Sequence, residues 1–290
     1  MTKLAIMSDL HIDLNQFSDF EVHTLIQTLK NQNISWLHLA GDISNHHHTI
    51  SLPFIEKMAE HFKITYNLGN HDMLDLTEAE IEATDFQIYD LDEKVFITFH
   101  GWYDYSFSSD KTDSENLSFK TIFWFDRRLK RPLSDKEMSE QIYQRLKDIL
   151  SQQTKPIILA MHFVPHSLFT ITHETFKPFN AFLGSQQFHD IFTTFPVTDV
   201  VFGHAHRSYG TQVIDGIRYH SRPLGYIREW DLTIEFVNKH SHLNPTGTWN
   251  LSKRYNLVKK REDFKQYLRE NLTSEFKKSM TIFSLSESSR

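Results

Sequence analysis

A chain of 290 residues, 39% apolar and 23% charged, has the composition of a globular protein large enough to bury a substantial core. It contains no cysteine, which excludes disulfides and thiolate metal sites, so any metal must be held by His, Asp, Glu or Asn. The formal charge of −6 provides no overall basic field for gathering nucleic acid or anionic membrane.

The apolar run before Asp9 is too short for a signal peptide, and no stretch approaches a membrane span, so a cytoplasmic protein without a membrane partner is expected. In chain order, short apolar, β-branched or aromatic runs at 4–8, 36–40, 64–68, 95–99, 157–161 and 197–202 have the length of buried strands. Runs at 217–220 and 232–237 also read as strands. Helical patterns fall between the early strands. Ser18-Asp-Phe-Glu21 is a capping box leading into Val22, Leu25, Ile26 and Leu29 on one face. Residues 49–62 form a second helix candidate. Ser134-Asp-Lys-Glu137 opens another, with Met138, Ile142, Leu146 and Ile149 along its buried stripe. This alternation predicts an α/β sheet core.

Residues 103–133 are polar, then aromatic, then basic, and the pattern suggests a cap-like insertion over one edge of the core, spanning about 103–155. The predicted catalytic domain covers 1–255. The charged residues 256–290 are expected to pack on it as a helical appendage.

Five short clusters stand where predicted strands end: Asp9-Leu-His11, Gly41-Asp42, Gly69-Asn-His-Asp72, His162 and Gly203-His-Ala-His206. Ligands of open α/β sheets collect beyond the carboxyl ends of strands, so these loops should converge on one surface. Side chains two residues apart in an extended segment point to the same side, which lets Asp9 and His11 grip one ion. The glycines should let the chain turn sharply as each strand ends. Four imidazoles, two carboxylates and one carboxamide suit divalent transition metals such as Mn, Fe or Zn without selecting among them. Two such ions side by side can clamp a phosphoryl group for in-line displacement.

The ordered pattern D-x-H, G-D, G-N-H-D, H and G-H-x-H, running from Asp9 to His206, resembles the calcineurin-like metallophosphoesterase superfamily. The resemblance implies a four-layer α/β/β/α sandwich of two mixed β-sheets flanked by helices. It also implies that Asp9, His11, Asp42 and His206 hold a first metal, and that Asp42, Asn70, His162 and His204 hold a second, with Asp42 bridging. His71 would face the substrate as the catalytic group, and Asp72 would orient it. The implied reaction is attack on a phosphomonoester or phosphodiester by a metal-bound hydroxide. Gly41-Asp42 continues as Ile-Ser-Asn45, without the Asp-Arg-Gly of Ser/Thr protein phosphatases or the tyrosine of purple acid phosphatases. What remains resembles the bacterial phosphoesterase branch.

Other features carry weaker functional readings. Asn70, His166 and Arg222 are candidate substrate contacts; for His166 and Arg222 the competing readings are a local structural role and a turn. His46-His-His48 reads as a solvated loop. Trp102, Tyr103 and Tyr105 read as packing or as an aromatic wall, and Arg127-Arg-Leu-Lys-Arg131 as a solvated basic face. A small phosphorylated substrate is the expected partner. A nuclease stays open as a rival, although one short basic run is little for a nucleic-acid groove. A metal-binding interaction scaffold of the same fold is the non-enzymatic rival.

Overall fold

Side chains on a buried strand alternate between its two faces, and here that alternation divides the core into layers. The computed structural model describes residues 2–285. In β1 (Thr2–Met7), Leu4 and Ile6 face a second sheet, whereas Ala5 and Met7 face helices. In β2 (Trp36–Ala40), Trp36 and Ala40 face the sheet, and Leu37 and Leu39 face α1 (Asp19–Asn31) and α2 (Leu52–Ala59). β3 (Lys63–Asn67) and β10 (Thr281–Leu285) complete a sheet ordered β10-β1-β2-β3, parallel except for β10.

The second sheet runs β4 (Gln87–Asp90), β5 (Val95–Phe99), β6 (Ile157–Met161), β7 (Val197–Phe202), β9 (Ile217–Ser221), β8 (Gly210–Ile214). Its central strands are parallel, and β4 and β8 pair antiparallel at the edges. Phe96, Ile158, Ala160 and Val201 meet the first sheet; Ile97, Phe99, Leu159 and Phe202 meet α5 (Asp135–Ser151) and α6 (Gln187–Phe192). Two mixed sheets between helical layers are thus the expected α/β/β/α sandwich.

Both predicted capping boxes form, at Ser18 and Ser134. Two more open α3 (Glu78–Thr84), through Thr77 and Glu80, and α4 (Asp113–Phe123), through Thr112 and Glu115. The run at 232–237 is not a strand. It lies in α7 (Asp231–Lys239), where Leu232, Phe236 and Val237 share a helical face that packs on α9 (Glu262–Lys278). Helix α5 buries Met138, Ile142, Leu146 and Leu150 against the second sheet, so it belongs to the helical layer and not to a cap. Of residues 103–155, the end of α4 and the turn Phe125–Arg128 line the cleft at the carboxyl edge of the strands. The C-terminal segment is helical through α8 (Leu251–Val258) and α9, then enters the first sheet as β10.

Candidate metal centre and its cleft

The loops leaving β1, β2, β3, β6 and β7 converge at one edge of the sandwich. Backbone bonds tie them together: Asp9 N–H donates to Gly41 O and His11 N–H to Asp42 O, each at 3.0 Å, and Gly203 N–H donates to His162 O at 3.1 Å. The result gathers all seven expected ligand residues. Ligand atoms of Asp9, His11, Asp42 and His206 lie within 4.8 Å of one another, as do those of Asp42, His162 and His204. Asn70 Oδ1 joins the second group, 3.2 Å from His162 Nε2. Asp42 belongs to both groups. Its Oδ2 is 3.7 Å from His11 Nε2 and 3.3 Å from His162 Nε2.

Outer hydrogen bonds decide which atoms face inward. His162 Nδ1 donates to Ala40 O at 3.1 Å, His204 Nε2 to Phe182 O at 3.1 Å, and His206 Nδ1 to the Glu229 carboxylate at 3.0 Å. Asn70 Nδ2 donates to Asp126 at 2.7 Å, which turns Oδ1 inward. The inward atoms stand close together: His162 Nε2 and His204 Nδ1 at 3.2 Å, and His11 Nε2 and His206 Nε2 at 3.0 Å. Buried Asp42 Oδ2 has no hydrogen-bond partner. Such a set costs free energy unless a cation or protons fill it, and it fits divalent cations.

The electrostatics agree. Burial opposes charge on His162, yet Asp42 and Asp9 outweigh it and raise its pKa to about 9. Burial likewise opposes charge on His206, but Glu229 and Asp9 raise it to about 10. His204, buried beside a charged His162, falls to about 3. His11 also falls, through burial, so positive charge is held at His162 and His206 and opposed at His11 and His204.

Strain is concentrated here. Asp9, His11, Asp42, His204 and His206 all have positive φ, between 42° and 66°, a conformation that side-chain-bearing residues rarely adopt. The surrounding hydrogen bonds must hold these residues in place. Gly41 also turns at φ 84°, whereas Gly69 and Gly203 are needed for space: a Cβ on either would lie 2.2 Å from an Asp42 or Asp9 oxygen.

His71 reaches the same centre, with Nε2 4.0 Å from Asp42 Oδ2. Its expected orienter does not touch it. Asp72 instead accepts the backbone N–H groups of Asp42, Ile43, Ser44 and Gly69 at 2.7–3.2 Å, because its side chain points beneath the loop, away from the ring. Burial and the Asp42 charge raise its pKa to about 7. The residue on the His71 ring is Asn45, whose Oδ1 accepts from Nδ1 at 2.9 Å while its Nδ2 donates to Asp13 at 2.8 Å. Phe125 stacks on the other side of the ring at 3.7 Å. Tyr226 stacks on His11 at 4.4 Å.

A cleft of about 360 Å³ opens over Asp42, Asn70, His71, His204 and His206. His166 does not line it. Its Nδ1 accepts from Leu168 N–H, and its ring meets His189 edge-on at 4.4 Å, the local role set against the substrate reading. Arg222 does not line it either, since its guanidinium extends toward Gly210 at the start of β8. His47 is buried, not solvated, and His48 pairs with Glu80 at 3.4 Å. Trp102, Tyr103 and Tyr105 are core residues. Arg131 of the basic run holds Glu78 with two bonds of 2.8 and 2.9 Å.

A sequence model of the calcineurin-like phosphoesterase family matches residues 2–208. The chain belongs to this family of metal-dependent phosphoesterases. Among solved structures, it is similar to the phosphopantetheinyl hydrolase of Mycobacterium tuberculosis, with a TM-score of 0.62 and 19% identity over 79% of this chain and 91% of that one. A dimetal phosphatase from Danio rerio aligns at a TM-score of 0.49 and 12% identity, over 77% and 87% of the two chains. No curated protein sequence matches it. The likeness to the hydrolase shows the fold. No helix among the described residues is long and apolar enough to cross a membrane.

Proposed function

We propose that this family member is a dinuclear phosphoesterase that hydrolyses a phosphomonoester or phosphodiester. The observation that carries the reading is Asp42 Oδ2, buried, without a hydrogen-bond partner, and shared by two groups of inward-facing ligand atoms. Asp9, His11, Asp42 and His206 would hold one cation, and Asp42, Asn70, His162 and His204 the other. Bound there, two divalent cations would acidify water and neutralise phosphoryl oxygens. Mn, Fe and Zn all suit the donors.

The chain's own groups do the rest. Asp72 fixes the Asp42 loop through four backbone N–H groups, and Asp126 and Glu229 aim Asn70 and His206. His71 opens on the cleft; burial lowers its pKa, and in its doubly protonated form the ring would give the Nε2 proton to the departing ester oxygen and be left as the neutral Nδ1–H imidazole. Asn45 keeps Nδ1 as the outer donor, so Nε2 is the exchanging atom. Phe125 shields the ring from bulk water.

The test is hydrolysis of nitrophenyl phosphate mono- and diesters with added Mn²⁺. Asp42→Asn should reduce metal-dependent turnover by about 10³-fold or more, corresponding to several kcal/mol of charge stabilisation. Turnover that survives this change overturns the ligand assignment. An inert parent protein supports the scaffold reading, and digestion of single-stranded DNA in the same assay supports the nuclease.

A further inference from the structure

One wall of the cleft is a series of aromatic rings that leads away from the metal centre. Trp124 meets His204 edge-on at 5.8 Å, and Phe179 lies 5.8 Å from Trp124. Phe176 follows 6.4 Å from Phe179, and Trp249 6.4 Å from Phe176. Three separate segments supply these rings: the end of α4, the helical stretch Glu174–Phe182, and the loop before α8. At the outer end Trp249 is 67% exposed, and Phe123, beside the track, is 58% exposed. The loop presenting Trp249 is closed by two hydrogen bonds of 3.0 Å between Asn244 and Thr248, so the indole stands on a defined support.

Contiguous exposed aromatic surface is uncommon on a monomer and marks a contact site. Here its inner end is the wall of the cleft itself, which points to the substrate as the occupant. The cleft exceeds the needs of a phosphoryl group, and the surplus is lined by Phe123, Trp124, Phe125, Ile171, Phe179 and Leu183. Among these only the Trp124 indole has a side-chain polar atom, and its N–H is already donated to Asp126 at 2.9 Å. A sugar or nucleobase would find few polar partners on this inner wall; the one imidazole along the series, His173, lies at its outer end, 5.4 Å from Phe176 and 6.0 Å from Trp249. A flexible apolar chain needs none, and the ring series is longer than a single planar ring system.

We propose that the substrate is a phosphoester carrying an extended apolar arm, with the phosphate over the metal centre and the arm laid along Trp124, Phe179, Phe176 and Trp249. The proposal rests on the phosphoesterase reading, and its test is built to fail separately. The probes are n-alkylphosphonates from methyl to octyl, titrated into the Mn²⁺-loaded protein and followed by intrinsic tryptophan fluorescence, which requires no turnover. The dissociation constant should fall with each methylene, by up to about fourfold where burial is complete. Trp249→Ala and Phe176→Ala should flatten that dependence for the longer members and leave methylphosphonate binding unchanged.

Affinity indifferent to chain length overturns the proposal, as does a length dependence untouched by both substitutions. Equal affinity for octyltrimethylammonium also overturns it, because the metal centre would then not anchor the ligand. Nitrophenyl ester hydrolysis measured alongside separates the two claims. Metal-dependent hydrolysis without a length effect removes only the arm; length-dependent phosphonate binding without hydrolysis supports the arm and removes the reaction.

Discussion

At the residue scale, the candidate centre is built from side chains whose orientation is fixed by partners far away in sequence. Asn70 and Asp126 are 56 positions apart, yet the bond between them decides whether an amide oxygen or an amide nitrogen faces the second group of ligands. Asp126→Ala should release that amide. After dialysis, metal content measured by atomic absorption should fall below the parent's, and turnover should drop about 10–100-fold. Unchanged metal content would show that Asp126 does not position Asn70. His71 behaves differently, because its proposed work is proton transfer. His71→Ala should lower kcat by about 10²–10³-fold and leave metal content intact. Loss of metal in that variant would make His71 a ligand. The seven candidate ligands are legible because each sits in a short motif at a strand end. Asp126, Asn45 and Glu229 gave no such signal, since their partners are chosen by folding.

At the element scale, the strand cores were read correctly because a doubly buried strand is a continuous apolar run. Of the edge strands, β3 was read and β4, β8 and β10 escaped. The faces of β4 and β8 are mostly exposed, and their polar residues hide the pattern. The helix α7 was mistaken for a strand because six residues of mixed apolar character do not separate a period of two from one of 3.6. Within β2, His38 lies buried between strands, with Nδ1 2.9 Å from Thr65 Oγ1 and Nε2 2.9 Å from Asn67 Oδ1. Burial lowers its pKa from 6.5 to about 4. The unfolded chain therefore takes up a proton near pH 6.5 that the folded protein refuses until about pH 4. Stability from this group is complete above pH 6.5 and is lost as pH falls toward 4, by about 3 kcal/mol in all. Urea unfolding of His38→Gln should show an acid loss smaller than the parent's by about that amount. Parallel pH curves for the two proteins would refute the assignment.

At the scale of the whole molecule, the two ends of the described chain are stitched together. β10 pairs antiparallel with β1, from Thr2 opposite Leu285 to Ile6 opposite Thr281, and Leu285 enters the layer between the sheets. Without β10, the outer edge of β1, the strand that leads into the loop of Asp9 and His11, would present unpaired backbone groups. Truncation after Ser279 should lower Tm by about 5 °C or more and promote self-association, read by thermal unfolding and size-exclusion chromatography. A monomer with unchanged Tm would show that β10 is dispensable. The segment expected to be a helical appendage thus closes the first sheet. Its short, half-exposed strand resembles many solvent-facing pentapeptides, which is why only the pairing reveals it.

The sequence by itself determined the sandwich's buried strands, two of its helix starts and the identity of the metal-ligand candidates, because these depend on local period and on residue types in fixed order. Only tertiary structure decided that Asn45 and not Asp72 holds His71, that Asp126 and Glu229 aim Asn70 and His206, and that an aromatic track leads out of the cleft. Those facts depend on distances between side chains that the chain order separates, and folding alone brings them within reach of a hydrogen bond or a shared cation.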